Sequence, residues 1–117
     1  QHTPCTPEEK VLEFDQANVG AINLQTSAIA CIEALGKDHL DACIDLLSHA
    51  PAEYLGLDLP AFNIGASGAF TLLDLQADST LTAANNASKS KNAPFIQKPF
   101  SSKIVGLIAN GKQQFYN

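Results

Sequence analysis

Lys103-Ile104-Val105-Gly106-Leu107-Ile108-Ala109 runs directly into Asn110-Gly111 and then Lys112-Gln113-Gln114-Phe115-Tyr116. A run of β-branched and aliphatic residues closed by Asn-Gly is a strong short-range signal for a hairpin with a type I′ turn. The stretch therefore predicts a strand over 103–109 and a return strand over 113–116. Going back along the chain, Phe70-Thr71-Leu72-Leu73-Asp74-Leu75 reads as another strand, its two adjacent leucines blurring the alternation. Gly65-Ala66-Ser67-Gly68 reads as the turn before it. With no lysine following and no strand–turn–helix context, that turn does not suit a phosphate. Residues 76–93, rich in Ala, Ser, Asn and Asp, read as loop with a helical turn near Thr82–Asn86.

Before Leu59 the texture is helical. Thr6-Pro7-Glu8-Glu9-Lys10 carries a capping box, with Thr6 and Glu9 satisfying each other's backbone N–H groups. Leu24, Ala28, Cys31, Ile32 and Leu35 recur at three- and four-residue spacing, predicting a buried helix face over about 23–35 that stops at Gly36. Leu40, Cys43, Ile44 and Leu47 predict another over about 39–50, ended by Pro51, with a further turn over Pro51–Leu55 before Gly56. Helices come first and strands second, with a boundary near 57–64. Without βαβ alternation a closed parallel sheet does not follow, and a few strands alone have little core. The pattern fits an α/β or α+β fragment better than a finished domain.

Composition bounds the rest. The 117 residues are 45% apolar with a net charge of −5, which fits a folded chain with no nucleic-acid footprint. No apolar run approaches the roughly 20 residues a membrane helix needs, so no membrane partner is expected. No basic segment leads an apolar one at the N-terminus, so no signal peptide is expected. Three cysteines, Cys5, Cys31 and Cys43, cannot all pair, which points to a reducing, cytoplasmic setting. The chain opens with Gln1 and has no Met, as a segment cut from a longer protein would.

The side chains that could carry chemistry have plain readings. His2 with Cys5 supplies two ligands where zinc usually takes three or four, so no metal site is expected. Cys31 and Cys43 read as small buried hydrophobes. His39 reads as a cap-region residue, and His49 suits the end of its helix. Asp38, Asp41 and Asp45 read as a solvated acidic face, and Asn92-Ala93-Pro94-Phe95 as an ordered loop.

Five stretches, in order, resemble the C-terminal third of dihydroorotases and related cyclic amidohydrolases. His2-Thr3-Pro4-Cys5-Thr6-Pro7-Glu8-Glu9-Lys10 resembles D-H-A-P-H followed by E-E-K, and Ala17-Asn18-Val19-Gly20-Ala21-Ile22-Asn23-Leu24-Gln25-Thr26 resembles A-P-x-G-I-x-G-L-E-T. Ser48–Leu57 is similar to S-x-N-P-A-x-I-L-G-L, Ser88–Phe95 to S-K-S-x-N-T-P-F, and Gly106–Lys112 to the closing V-x-x-T-I-x-N-G-K.

The resemblance implies the last helices of a metal-dependent (β/α)8 barrel over 1–58, followed over 59–117 by part of a small β-sandwich-like domain. It implies a parent that interconverts N-carbamoyl-L-aspartate and dihydroorotate in pyrimidine synthesis. One or two zinc ions, held by histidines and a bridging lysine upstream, would activate water. In this chain the family's catalytic Asp falls at Gln1 and its substrate-binding His at Cys5, so the resemblance assigns no catalytic residue here. His2, Cys5, Asn18 and Gly20 are the expected substrate-loop positions. The fragment is expected to be structural and inactive, an active parent being the alternative and an independent interaction domain a third reading. The partners expected are the remainder of the parent chain, a second copy, and another pyrimidine-pathway enzyme.

Overall fold

The computed structural model describes residues 2–59 and 62–116. Two compact units emerge, one from the segments 1–27 and 80–99 and the other from 28–79 and 100–117. In each, the chain returns to a partner distant in sequence.

The first unit is held by side chains more than by regular elements. Ile22, Leu81 and Ala93 form a buried apolar cluster in it, and Cys5 is buried as well. Single parallel bridges join His2 to Ala21 and Leu81 to Ile96. A 3-10 turn at Glu8–Lys10 follows the capping box, in which the Thr6 N–H donates to the Glu9 carboxylate at 2.6 Å and the Glu9 N–H donates to Thr6 Oγ1 at 3.4 Å. Thr82 and Asn85 repeat the device at 2.7 and 3.3 Å, fixing the turn expected near Thr82–Asn86.

Helix α1 spans Ser27–Leu35, beginning four residues later than its periodicity suggests. The Thr26 and Ser27 hydroxyls donate back to the carbonyls of Asn23 and Leu24 at 3.3 and 3.2 Å, and such local bonds compete with the helical ladder. In the second unit α2 (Leu40–Ile44) continues through a π turn at Asp45–His49 into α3 (Ala50–Leu55). Pro51 therefore does not end the helix. Proline lacks an N–H and its ring crowds the carbonyl four residues back, and a wider π turn sits just ahead of it. The run stops in a Schellman arrangement, Gly56 N–H to the Glu53 carbonyl at 3.1 Å and Leu57 N–H to the Ala52 carbonyl at 2.8 Å.

The sheet order is β1-β4-β5, all antiparallel, from Phe70–Asp74, Lys103–Ala109 and Lys112–Phe115. Between β1 and β4 the register shifts at Leu72/Leu73. That irregularity explains the adjacent leucines: a bulge lets both be half-buried. Asn110 and Gly111 have φ of 52° and 70°, the left-handed pair a type I′ turn requires. Short strands β2 (Ser79–Thr80) and β3 (Pro99–Phe100) pair with each other.

The core of the second unit contains Ile29 and Ile32 of α1, Cys43, Ala52, Phe100 and Ser102. Glu33 accepts from Ser101 N–H and Oγ at 3.3 and 3.0 Å, and Lys37 Nζ donates to the Leu75 carbonyl. The Ser102 carbonyl accepts from Ser79 Oγ at 2.6 Å, but Ser102 Oγ is fully buried with no hydrogen-bond partner among the described residues. An unpaired buried hydroxyl is a net cost. Ser102→Ala should accordingly leave stability unchanged or raise it by up to about 1 kcal/mol, read from the urea midpoint. A loss of stability would show that the hydroxyl has a partner in solution.

Several positions expected to be buried are not. Leu24, Leu35, Ile44 and Leu47 are exposed, as are Leu46, Tyr54, Leu55, Leu57 and Phe62, although the Phe62 ring stands edge-on to Phe70 at 5.2 Å. No helix among the described residues is long and apolar enough to cross a membrane.

Candidate functional site

The expected substrate-loop residues fall within the first unit. Gln1 lies outside the described residues. His2 is exposed, and its Nδ1 accepts from the backbone N–H groups of Asn23 and Leu24 at 3.1 and 3.2 Å. Both partners are obligate donors, so Nδ1 is unprotonated and the proton of neutral His2 resides on Nε2. The imidazole thereby caps the turn that precedes α1.

From Thr3 to Thr6 the backbone is neither helix nor strand, yet its three N–H groups and the carbonyls of Thr3 and Cys5 are all engaged. Thr3 N–H donates to the Ala21 carbonyl at 2.9 Å, and the Thr3 carbonyl accepts from Asn92 Nδ2 at 2.8 Å. Cys5 N–H donates to Ser90 Oγ at 3.2 Å, and the Cys5 carbonyl lies 2.5 Å from the same hydroxyl. Ser90 Oγ is also 2.7 Å from Asn92 Oδ1, so one hydroxyl proton is shared between two acceptors. Cys5 itself is 9% exposed, its side chain turned into the unit. His2 and Cys5 therefore share a loop but not a surface.

The second loop is tied at its own carbonyls. Lys10 Nζ donates to the Asn18 carbonyl and, at 2.6 Å, to that of Gly20, while Asn18 N–H donates to the Glu9 carbonyl at 3.0 Å. Asn18 and Gly20 are both exposed. Gly20 has φ of +88°, and a Cβ there would sit 2.6 Å from Thr3 Oγ1. The two loops thus meet at a position only glycine fits.

Glu9 connects the capping box to this loop. Its carboxyl is held below the usual range chiefly by the Thr6 backbone N–H, then by the Thr6 hydroxyl; desolvation opposes them, and the Asn18 side chain adds a last, lesser lowering. A lowered carboxyl pKa means stability that is present above the unfolded value of about 4.3 and lost as pH falls through the folded value. On acid titration the Thr6 amide signal should move with a midpoint below that of an ordinary glutamate, and Glu9→Gln should abolish the transition. A midpoint at or above the ordinary value would contradict the capping geometry.

The remaining candidates have structural settings. Burial, and secondarily the Cys31 thiol beside it, push the Cys43 thiol up. Asp38, Asp41 and Asp45 are exposed, and His49 Nδ1 lies 3.6 Å from Asp45 on the surface. Among the described residues no three His, Cys, Asp or Glu side chains gather as metal ligands. With His2 Nδ1 already engaged by two amides, these residues do not suit a zinc site. Sequence reasoning missed Ser90 and Asn92, which it read as parts of a loop.

No protein-family model matches the chain. Curated relatives do. A dihydroorotase of Citrifermentans bemidjiense is 34% identical over 113 residues, 95% of this chain and 27% of the relative. This chain is a relative of the dihydroorotases. A dihydroorotase of Geobacter sp. strain M21 is likewise 34% identical over 113 residues, and that of Aquifex aeolicus is 31% identical over 117. The chain spans about a quarter of the length of these dihydroorotases, 27% in each of the three. The relationship extends along 95% or more of the chain, so both units belong to it.

Proposed function

We propose that these 117 residues act as the structural, C-terminal part of a dihydroorotase-like cyclic amidohydrolase, supplying a substrate-facing loop but not the metal centre. In that parent, residues 1–58 would form the closing loop and last helices of the (β/α)8 barrel and 59–117 a share of the small β domain. The observation that carries the reading is relatedness along 95% of the chain to proteins nearly four times longer, combined with described residues that gather no metal-ligand cluster. His2, Cys5, Asn18 and Gly20 are the residues proposed for the substrate side, His2, Asn18 and Gly20 through exposed groups and Cys5 as a buried member of the same loop. One or two zinc ions would be held by residues outside this segment. The exposed apolar side chains of α2 and α3 suit burial against the remainder of the parent chain or a second copy. A cytoplasmic location and a further pyrimidine-pathway enzyme as partner belong to the same proposal.

The alternative, an active parent, draws on the His2 and Gly20 geometry, which is fully formed without a carboxylate at Gln1. The experiment is dihydroorotate hydrolysis, with bound zinc measured in parallel, for the 117-residue chain and for the polypeptide that encodes it. The expected outcome is neither metal nor turnover from the chain alone. Stoichiometric zinc and turnover from these residues would overturn the structural reading. Turnover by the longer polypeptide alone would favour the active parent.

A further inference from the structure

We infer that Ser90 and Asn92 are positioning residues for the loop that carries His2 and Cys5. The inference deepens the reading above and rests on it for the claim that this loop faces substrate. An irregular segment has no ladder of its own, so its conformation is set by whatever satisfies its N–H and C=O groups. Between Thr3 and Cys5 the side-chain partners are Ser90 and Asn92, more than 80 positions along the chain. Ser90 Oγ takes the Cys5 N–H at 3.2 Å and lies 2.5 Å from the Cys5 carbonyl, gripping both ends of one residue.

Asn92 reaches both chains of the bridge that places His2. Its Nδ2 donates to the Thr3 carbonyl at 2.8 Å, its own carbonyl accepts from Ile22 N–H at 3.2 Å, and the bridge joins His2 to Ala21. His2 Nδ1 then meets the amides of Asn23 and Leu24, immediately beyond Ile22. Asn92 thus fixes the spacing between the loop and the turn against which the imidazole is registered. The Ser90–Asn92 bond at 2.7 Å joins the two clamps into one unit. Neither residue reaches the ligand in this account; they act through the loop backbone.

The test uses the 15N-labelled 117-residue chain with Ser90→Ala, Asn92→Ala and Ser90→Thr. Two readouts are followed: alkylation of Cys5 by iodoacetamide, located by peptide mass, and the imidazole 15N signature of unprotonated Nδ1 on His2. Ser90→Ala should raise Cys5 alkylation roughly tenfold or more through local opening and should average the two His2 nitrogens. Asn92→Ala should affect His2 more than Cys5. Ser90→Thr keeps the hydroxyl and should restore both readouts. Cys43, buried in the other unit, is the internal reference and should keep its wild-type rate. Wild-type behaviour in both alanine variants would overturn the assignment, and so would exposure of Cys43 together with Cys5, which would make these residues supports of the whole fold. No readout needs a substrate. Stoichiometric zinc and dihydroorotate turnover from the 117 residues alone would overturn the functional reading and leave the clamp standing.

Discussion

Phe100→Ala is expected to cost about 3–5 kcal/mol, enough to bring a domain of ordinary stability close to unfolding. Phe100 is 2% exposed and is among the largest fully buried side chains of the chain. Truncating it removes the transfer free energy of the ring and leaves a cavity that neighbours refill only in part. Ile32, the other large side chain buried to this degree, lies in the same unit, so few apolar groups share the burden. Phe14 provides the contrast, being 100% exposed. Phe14→Ala should stay within about 0.5 kcal/mol of wild type. Urea denaturation would read both, a fall in midpoint at constant slope marking a change in stability rather than in the extent of unfolding. Equal effects at the two positions would mean that the burial of Phe100 does not describe the chain in solution.

What could be read from the sequence divides along a physical line. The hairpin around Asn110-Gly111 is a local arrangement, in which two left-handed residues bring adjacent segments together, and its strand appears over the expected 103–109. The capping box of Thr6 and Glu9 is local as well. Helix faces are another matter. Spacing shows that Ile32, Leu35 and Leu24 share a face, but it does not show what covers that face, and only Ile32 of the three is buried. Ile29, off the expected stripe, is buried instead. The adjacent leucines at 72 and 73 contradicted a simple strand because alternation assumes an unbroken register, and the partner strand breaks it. Pro51 reads as a stop under α-helical geometry, and a π turn removes that premise.

The candidate site shows the same division. His2, Cys5, Asn18 and Gly20 are brought into one unit, but a motif does not reveal that Cys5 points inward while His2 caps a turn. Ser90 and Asn92 sit in a polar stretch whose composition reads as loop, and their partners are 85 to 89 positions away. The motif resemblance over Ser88–Phe95 marks the stretch, but nothing in it names the partners of Ser90 and Asn92. The Ser-x-Asn spacing puts two polar side chains close enough to bond each other at 2.7 Å, a signal visible only once the distant loop is in place.

Gly20→Ala should be the most damaging single methyl in the first unit, with an expected loss of about 2–4 kcal/mol from two independent sources. The first is backbone: φ of +88° is a region that residues with a Cβ adopt only under strain. The second is steric, since the new Cβ would lie 2.6 Å from Thr3 Oγ1 and 2.9 Å from Thr3 Cβ. Rotating the Thr3 side chain moves the hydroxyl but not its Cβ. Retreat of the Gly20 loop is opposed by Lys10, whose ammonium holds the carbonyls of both Asn18 and Gly20. The pairing of Thr3 N–H with the Ala21 carbonyl, 2.9 Å in length, lies beside the clash and should open first. Hydrogen exchange at the Thr3 amide therefore reads the effect directly. Thr3→Gly in the same chain separates the two sources, because it removes the collision and leaves the φ cost. The double variant should recover the steric share and no more. Full recovery would show that the backbone at position 20 tolerates a side chain, and that the approach of the two loops, not the dihedral, is what reserves the site for glycine.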